Sequence, residues 1–491
     1  MHVLVIGAGI AGLGAALSLA RDGHKVTLLE ADATPFPESP VVAFETWERR
    51  GAPQVRHSHA FLARLRNLLR ERAPDVLAAL LEAGAQELPI AEMLREGIDD
   101  PAPRPGDDDL TLLACRRITF EWVLHRMVTA NAGVTLRDGC RVVGLLRGGD
   151  RDGLPWIRGV EIAGRRGARE QIEADLVVDA SGRRSPLSRW LQALGLEALA
   201  EESEPCGIFY CSRFYRLRPG VVPPERDTTI GADLGYLKYA IFHGDAKIFS
   251  ITFAAAPEDK PLRALLRTGP FEAAARALPA TQRWTNPELA QPISEVHGMD
   301  ALRNTRRFFL ASGRPLALGL VALGDAAIQT NPLYGRGCSF ALVHAYLLAD
   351  ALAIHGNDLE ALAIALEEAS EREIVPWYEQ SRVQDREAAS WARQLRQAAA
   401  PEPPDGSGRV DPKAYLRDLM RRGFLPALRL DATVLRAFLR GFNLLDPPTE
   451  FLAHPEVLKR VLAIYQDRDH REEPALGPGR TELIALLREA A

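Results

Sequence analysis

A chain of 491 residues is longer than one typical domain and can bury a large core. Its 47% hydrophobic and 25% charged residues are those of a water-soluble globular protein, and a net charge of −5 without a basic arm argues against general nucleic-acid binding. Five scattered cysteines form no C-x-x-C pair and no zinc spacing, so a reduced, cytoplasmic setting with neither disulfides nor a metal site is expected.

Residues 3–20 carry no charge and place Gly7, Gly9 and Gly12 in the G-x-G-x-x-G spacing. A membrane span or signal sequence would fit the length, but glycine is poor material for a lipid-facing helix and no basic segment precedes the run. A dinucleotide-binding turn accounts for each position instead. Gly7 allows a tight turn after strand 2–6, Gly9 lets the backbone approach a pyrophosphate, and Gly12 lets the next helix pack closely on the sheet. That helix aims its N-terminal N–H groups at the phosphates. Glu30 closes the next apolar run, where a carboxylate accepts hydrogen bonds from an adenosine ribose. Ala8, Ile10 and Ala11 in the turn, with Ala31 beside the acid, complete the expected contacts.

Downstream, residues 60–83 have helical spacing, 99–109 read as an exposed loop, and 118–130 are helical again. Runs 134–139 and 141–146 look like paired strands, and 173–182 like a buried strand ending in a turn. From 207 to 255 the texture becomes aromatic and β-branched, in runs 208–215, 237–242 and 248–253. This predicts a separate antiparallel sheet that interrupts the nucleotide-binding unit. Cys206 and Cys211 flank such a run, which favours core packing over a bridge. The buried-strand texture returns at 319–325, and 338–353 predict a helix. Residues 401–408 have the composition of a linker, and amphipathic helices follow.

The second informative segment joins Gly324 and Asp325 to Pro332, Tyr334, Gly335, Gly337 and Cys338. An aspartate at a strand end can hydrogen-bond a polyol, while the glycines let backbone approach a flat ring and open a helix N-terminus. The positive end of that helix suits a reduced, anionic isoalloxazine.

Together these segments resemble the flavin monooxygenase superfamily with the aromatic-hydroxylase type of fold. The carrying residues are Gly7 to Gly12, Arg116, Asp179-Ala-Ser-Gly182, and Gly324-Asp325 with Pro332 to Gly337. Within that superfamily, Gly51-Ala-Pro-Gln-Val-Arg-His-Ser-His, Cys115-Arg-Arg, Asp179-Ala-Ser-Gly-Arg-Arg-Ser and Asn331-Pro-Leu-Tyr-Gly-Arg-Gly are most similar to polyether-antibiotic epoxidases. Two departures from the hydroxylase pattern are Ser181 where Asp is usual and Ser339 where Asn is usual, so the nicotinamide handling of those enzymes does not carry over.

The resemblance implies an α/β fold: a Rossmann-like FAD-binding domain, an inserted antiparallel-sheet substrate domain and a C-terminal helical region. It divides the chain into FAD-binding parts 1–75, 111–195 and 301–385, a substrate-lobe segment 76–110, a substrate sheet 196–300 and a helical region 386–491. It implies FAD, with NADH, NADPH or a partner flavin reductase as electron source, and molecular oxygen. The implied reaction inserts one oxygen atom, by epoxidation or hydroxylation, into a large apolar substrate such as a polyketide or terpenoid through a flavin C4a-hydroperoxide. Glu30 would hold the ribose, Arg56 and Arg116 the phosphates and polyol, and Val143, Gly324, Asp325, Pro332, Gly335, Gly337 and Cys338 other parts of the cofactor.

Either arginine reads alternatively as a solvated surface residue, and Arg117 competes with Arg116 for the role. His57 and His59 flank Ser58 and can face flavin or substrate. With no acid–base dyad in view, His57, Pro332 and Tyr334 are ring-adjacent candidates only. Phe209, Tyr215, Tyr239 and Phe253 are candidate pocket walls, each also a natural core residue. Rival readings stay open. A prenyl-chain reductase needs the same cradle, and a flavin halogenase shares the fold, although no W-x-W-x-I-P segment and no lysine between Lys25 and Lys238 is present. A non-catalytic or membrane-associated flavoprotein would use the arginine-rich stretch 413–440, which Pro426 interrupts and which packs more naturally on the protein.

Overall fold

The structure is a computed structural model and describes residues 1–94, 97–163, 169–224, 231–397, 412–448, 450–471 and 476–491. Its centre is a five-stranded, all-parallel sheet in the order Leu320–Ala322, Leu176–Asp179, His2–Ile6, Lys25–Leu29, Val134–Arg137. Alternation along the first strand decides what covers each face. Val3 and Val5 pack with helices Ile10–Arg21 and Gly337–His355, while Leu4 and Ile6 pack under an antiparallel meander of Arg141–Arg151, Leu154–Ala163 and Arg169–Glu173. The uncharged N-terminal run is therefore a buried strand and a core helix. Helix Gly337–His355, apolar and long enough to cross a membrane, is likewise mostly buried.

A second sheet has six antiparallel strands: Gly231–Asp233, Lys238–His243, Ile248–Ala255, Phe209–Leu217 and Ala290–Pro292 in order, with His297–Met299 also paired to Phe209–Leu217. It is the sheet expected from the aromatic texture. One face buries Phe209, Tyr215, Tyr239, Phe249 and Phe253 against helices Thr268–Ala277 and Arg480–Glu489. The other presents Tyr210, Thr252, Ala254, Lys238, Ala240 and Phe242 to a large cavity. The tail forms helices Pro412–Leu419, Leu425–Leu430, Ala432–Phe442 and Pro455–Gln466, and Leu435, Leu439 and Val461, with Phe424 between the first two, share a core with Ile90, Ile98 and Leu110.

Several local expectations are corrected. Residues 60–83 form two helices, Ala63–Arg72 and Pro74–Glu82, because Pro74 has no N–H to continue the first and Ala73 leaves helical geometry at φ −151, ψ 58. The runs near 134 and 141 are not partners: Val134–Arg137 joins the parallel sheet beside Lys25–Leu29, and Arg141–Arg151 pairs with Leu154–Ala163. The loop at 99–109 is exposed, as expected, and is anchored at Asp107, which accepts two hydrogen bonds from Arg436. The predicted linker at 401–408 lies outside the described residues.

Candidate functional site

Where the parallel sheet, the antiparallel sheet and the C-terminal helices meet lies a cavity of about 2200 Å³. Ordinary small-molecule pockets hold about 300–1,000 Å³, so this one has room for a dinucleotide and a second molecule.

At one end stands the glycine turn. Gly7 has φ +98, and a Cβ there would meet Ala180 O at 2.7 Å; at Gly12 it would meet Gly7 O at 1.8 Å. Gly12 is thus the contact that lets helix Ile10–Arg21 seat on the strand, and it does not line the cavity. A Cβ at Gly9 meets nothing within 4 Å, because this residue faces open space. Gly9 is also the helix N-cap and supplies no side-chain partner, so the first N–H groups of the helix stand ready for an anion. Gly7, Ala8, Ile10 and Ala11 line the same space.

Glu30 and Ala31 form the adjoining wall. The Glu30 carboxylate accepts the Ala8 N–H at 3.0 Å and the Asp32 N–H at 2.9 Å, which fixes its position at the strand end. Sequence reasoning overlooked the cation beside it. Arg49 is buried, donates to Ala8 O at 2.6 Å and to Glu121 at 3.2 Å, and stands 3.5 Å from Glu30.

The two arginines chosen from sequence lie elsewhere. Arg56 donates to Phe44 O at 2.7 Å and does not line the cavity. Arg116 is buried beneath the antiparallel sheet in a two-pronged ion pair with Asp245, at 3.0 and 2.6 Å. Its neighbour Arg117 reaches the cavity instead, bonded to Glu121 at 2.7 Å and His59 at 3.2 Å. Starting a helix at Arg117 turns consecutive side chains about 100° apart, which is why one faces the site and the other the protein interior.

At the other end of the cradle, Asp325 lines the cavity, and burial raises its pKa against the opposing charges of Arg117, Arg183 and Arg307. Gly324 lies behind it, with φ +57 and its N–H bonded to His344 at 3.2 Å. Pro332, Tyr334, Gly335, Gly337 and Cys338 all reach the cavity, and burial pushes the Cys338 thiol up to about 11. This turn is braced from beneath by Asp385, which accepts from Asn331 (2.7 Å), Tyr334 (2.7 Å) and Asn304 (2.7 Å). Nothing in the local sequence marks Asp385, since its partners come from two distant segments.

Other sequence candidates divide by strand parity. Tyr239 touches the cavity, whereas Phe209, Tyr215 and Phe253 point into the opposite core. Val143 gives way to Val142 at the cavity wall, one residue along the same strand. His57 is buried against Ser212 at 3.2 Å, and burial together with His297 and Arg183 lowers its pKa to about 3. His59 lines the cavity, with its pKa lowered by burial and by Arg117. Both imidazoles are therefore neutral near pH 7.

A glycine turn open to an anion, a fixed carboxylate for a ribose and a second carboxylate 300 residues later fit one extended dinucleotide, and an apolar vault adjoins it. The fold and this cradle define an FAD-dependent oxidoreductase. Residues 2–107 match the family described as DAO, FAD dependent oxidoreductase. The chain is 30% identical over 475 residues to Protein Rv3254 of Mycobacterium tuberculosis, covering 91% of this chain and 90% of that protein. Among solved structures it is similar to p-nitrophenol 4-monooxygenase PnpA of Pseudomonas putida DLL-E4, with 18% identity, TM-score 0.58, and 91% and 98% of the two chains covered. It is also similar to the myxobacterial chondrochloren halogenase CndH, with 17% identity, TM-score 0.54, and 100% and 96% covered. The chain thus carries an FAD-dependent oxidoreductase domain over residues 2–107 and shares its fold with these two enzymes.

Proposed function

We propose that this protein is a monooxygenase that inserts one oxygen atom, by epoxidation or hydroxylation, into a large apolar molecule of polyketide or terpenoid type. The observation that carries the reading is the continuity of one cavity, from the glycine turn to a vault walled by Ala240, Phe242, Leu435, Phe438 and Phe442. Gly9 and the helix N-terminus would hold the FAD pyrophosphate, Glu30 the ribose, Asp325 the polyol, and the backbone of the turn Pro332–Tyr334 the ring. Bound FAD supplies the electrons and the oxygen activation.

The chain's own contribution is to bind, orient and exclude water. The mostly apolar wall raises the cost of admitting water, and the neutral His59 adds no charge to it. The bracing of Asn331 and Tyr334 by Asp385 holds the ring-side turn in one geometry. Five unbridged cysteines support a reduced cytoplasmic setting. NADH, NADPH or a partner flavin reductase would deliver the electrons.

The test is product analysis after turnover under ¹⁸O₂ with lipophilic polyene and polyketide candidates, using NADH, NADPH or a flavin reductase as donor. One ¹⁸O atom per product is expected. A saturated, unlabelled product would overturn the reading in favour of a reductase, and a halide-dependent halogenated product would overturn it in favour of a halogenase.

A further inference from the structure

Arg183 sits in the turn that follows strand Leu176–Asp179, and that turn is held on both sides. Asp179 accepts the Ser181 N–H at 2.9 Å and the Ser185 hydroxyl, while Arg307 donates to the Arg183 carbonyl at 3.5 Å. The fixed backbone directs the Arg183 side chain to the cavity wall.

What it meets there is a weak partner. Among the described residues its guanidinium makes one hydrogen bond, to the Met299 sulfur at 3.6 Å, and no carboxylate lies within ion-pair distance. The Tyr210 hydroxyl donates to the same sulfur at 3.0 Å. A thioether is a poor acceptor, so two strong donors converge on a group that satisfies neither well. Tyr210, Met299 and Arg183 all line the cavity, and Leu333 of the ring-side turn packs with Tyr210 and Met299. Of the charged groups near it, Asp325 acts only through space, Arg307 reaches only the Arg183 carbonyl, and His57 is neutral. A half-buried cation without a counter-ion is costly, and a guanidinium is shaped for two carboxylate oxygens.

We propose that Arg183 and Tyr210 form a carboxylate-binding subsite, so that the substrate is an apolar acid anchored by its anion beside the turn Pro332–Tyr334. This deepens the monooxygenase reading and rests on it for the word substrate, but not for the binding itself. Met299 holds the two donors in place until the carboxylate displaces its sulfur. The acid's apolar body then lies along Ala254, Leu302 and Leu333.

The experiment titrates oxidised, FAD-loaded protein with 2-naphthoate and, separately, with the isosteric 2-naphthamide, following the flavin absorbance. Wild type should bind the acid more tightly by on the order of 10–100-fold, the range of a charge-assisted hydrogen bond. Arg183→Gln should abolish that preference and leave amide binding and FAD content unchanged. Tyr210→Phe should reduce it by a smaller factor. Equal binding of the two probes by wild type, or no binding of either, overturns the proposal. So does an Arg183→Gln protein that loses FAD yet keeps the preference, because the arginine would then serve the cofactor. No turnover is involved, so failure of ¹⁸O labelling and failure of this subsite are separately visible.

Discussion

Arg116 shows how little a residue's type says about its task. Its guanidinium and backbone N–H both bond Asp245, Thr119 adds a hydroxyl at 2.8 Å, and neither charged side chain is more than 3% exposed. Removing one member of such a pair strands the other. Asp245→Asn should therefore cost about 3–5 kcal/mol of stability at pH 7. Burial raises the Asp245 pKa, but the Arg116 hydrogen bonds and charge outweigh it, and the folded value lies below the ordinary 3.8. With a depressed folded pKa, the ionised carboxylate contributes fully above 3.8, and its contribution is lost as pH falls through the folded value. Urea melts should show a constant gap between wild type and Asp245→Asn from pH 7 to about 5, closing in stronger acid. A gap that persists unchanged at low pH would contradict this account.

At this scale the sequence was legible where backbone geometry dictates the residue. Gly7, Gly9 and Gly12 carry three distinct steric duties, each visible from spacing alone, and the fixed Glu30 follows from strand length. Side chains that work by reaching across space were not legible. Arg49, Arg183 and Asp385 have partners 41 to 116 positions away, and no local pattern announces them.

Among elements, the junction between the tail and the first lobe is the least obvious. Helix Ala63–Arg72 starts without a side-chain cap of its own. Asn443, at the end of helix Ala432–Phe442, supplies one: its side-chain oxygen accepts the Ala63 N–H at 2.9 Å and its carbonyl accepts the Arg64 N–H at 3.2 Å. Asn443 is fully buried, so Asn443→Ala leaves a buried donor unsatisfied and should cost about 1–3 kcal/mol, read as a lowered thermal midpoint. An unchanged midpoint would mean that water replaces the cap. Element type was readable here from periodicity, as with residues 118–130, found as helix Arg117–Thr129. Pairing was not: nothing within Val134–Arg137 tells whether its neighbour is the next strand or Lys25–Leu29.

On the scale of the whole molecule, the antiparallel sheet is covered on its far side by the last helix of the chain. Leu483, Ile484 and Leu487 of Arg480–Glu489 pack with Phe271, Ala274 and the sheet's buried aromatics. That helix lies behind the sheet, away from the cradle. Leu487→Ala should lower stability by about 2–5 kcal/mol while FAD content per folded protein stays at the wild-type level. Joint loss of FAD and stability would show that the two faces of the sheet are coupled. The sequence revealed the sheet but not this cover, since an amphipathic helix carries no record of which apolar surface it will meet.

The cavity is lined by Gly9 and Glu30 from the start of the chain, Arg117 from the middle, and Asp325 and Cys338 from far beyond. During synthesis, then, the first half of the site must wait for the second. At about 5–20 residues per second, roughly 20–70 s pass between the emergence of the glycine turn and that of Cys338. Through that interval the apolar strand and helix that bear the turn have neither their sheet neighbour Leu320–Ala322 nor the helix Gly337–His355. Until those later segments are made, the strand and helix that bear the glycine turn keep part of their apolar surface uncovered.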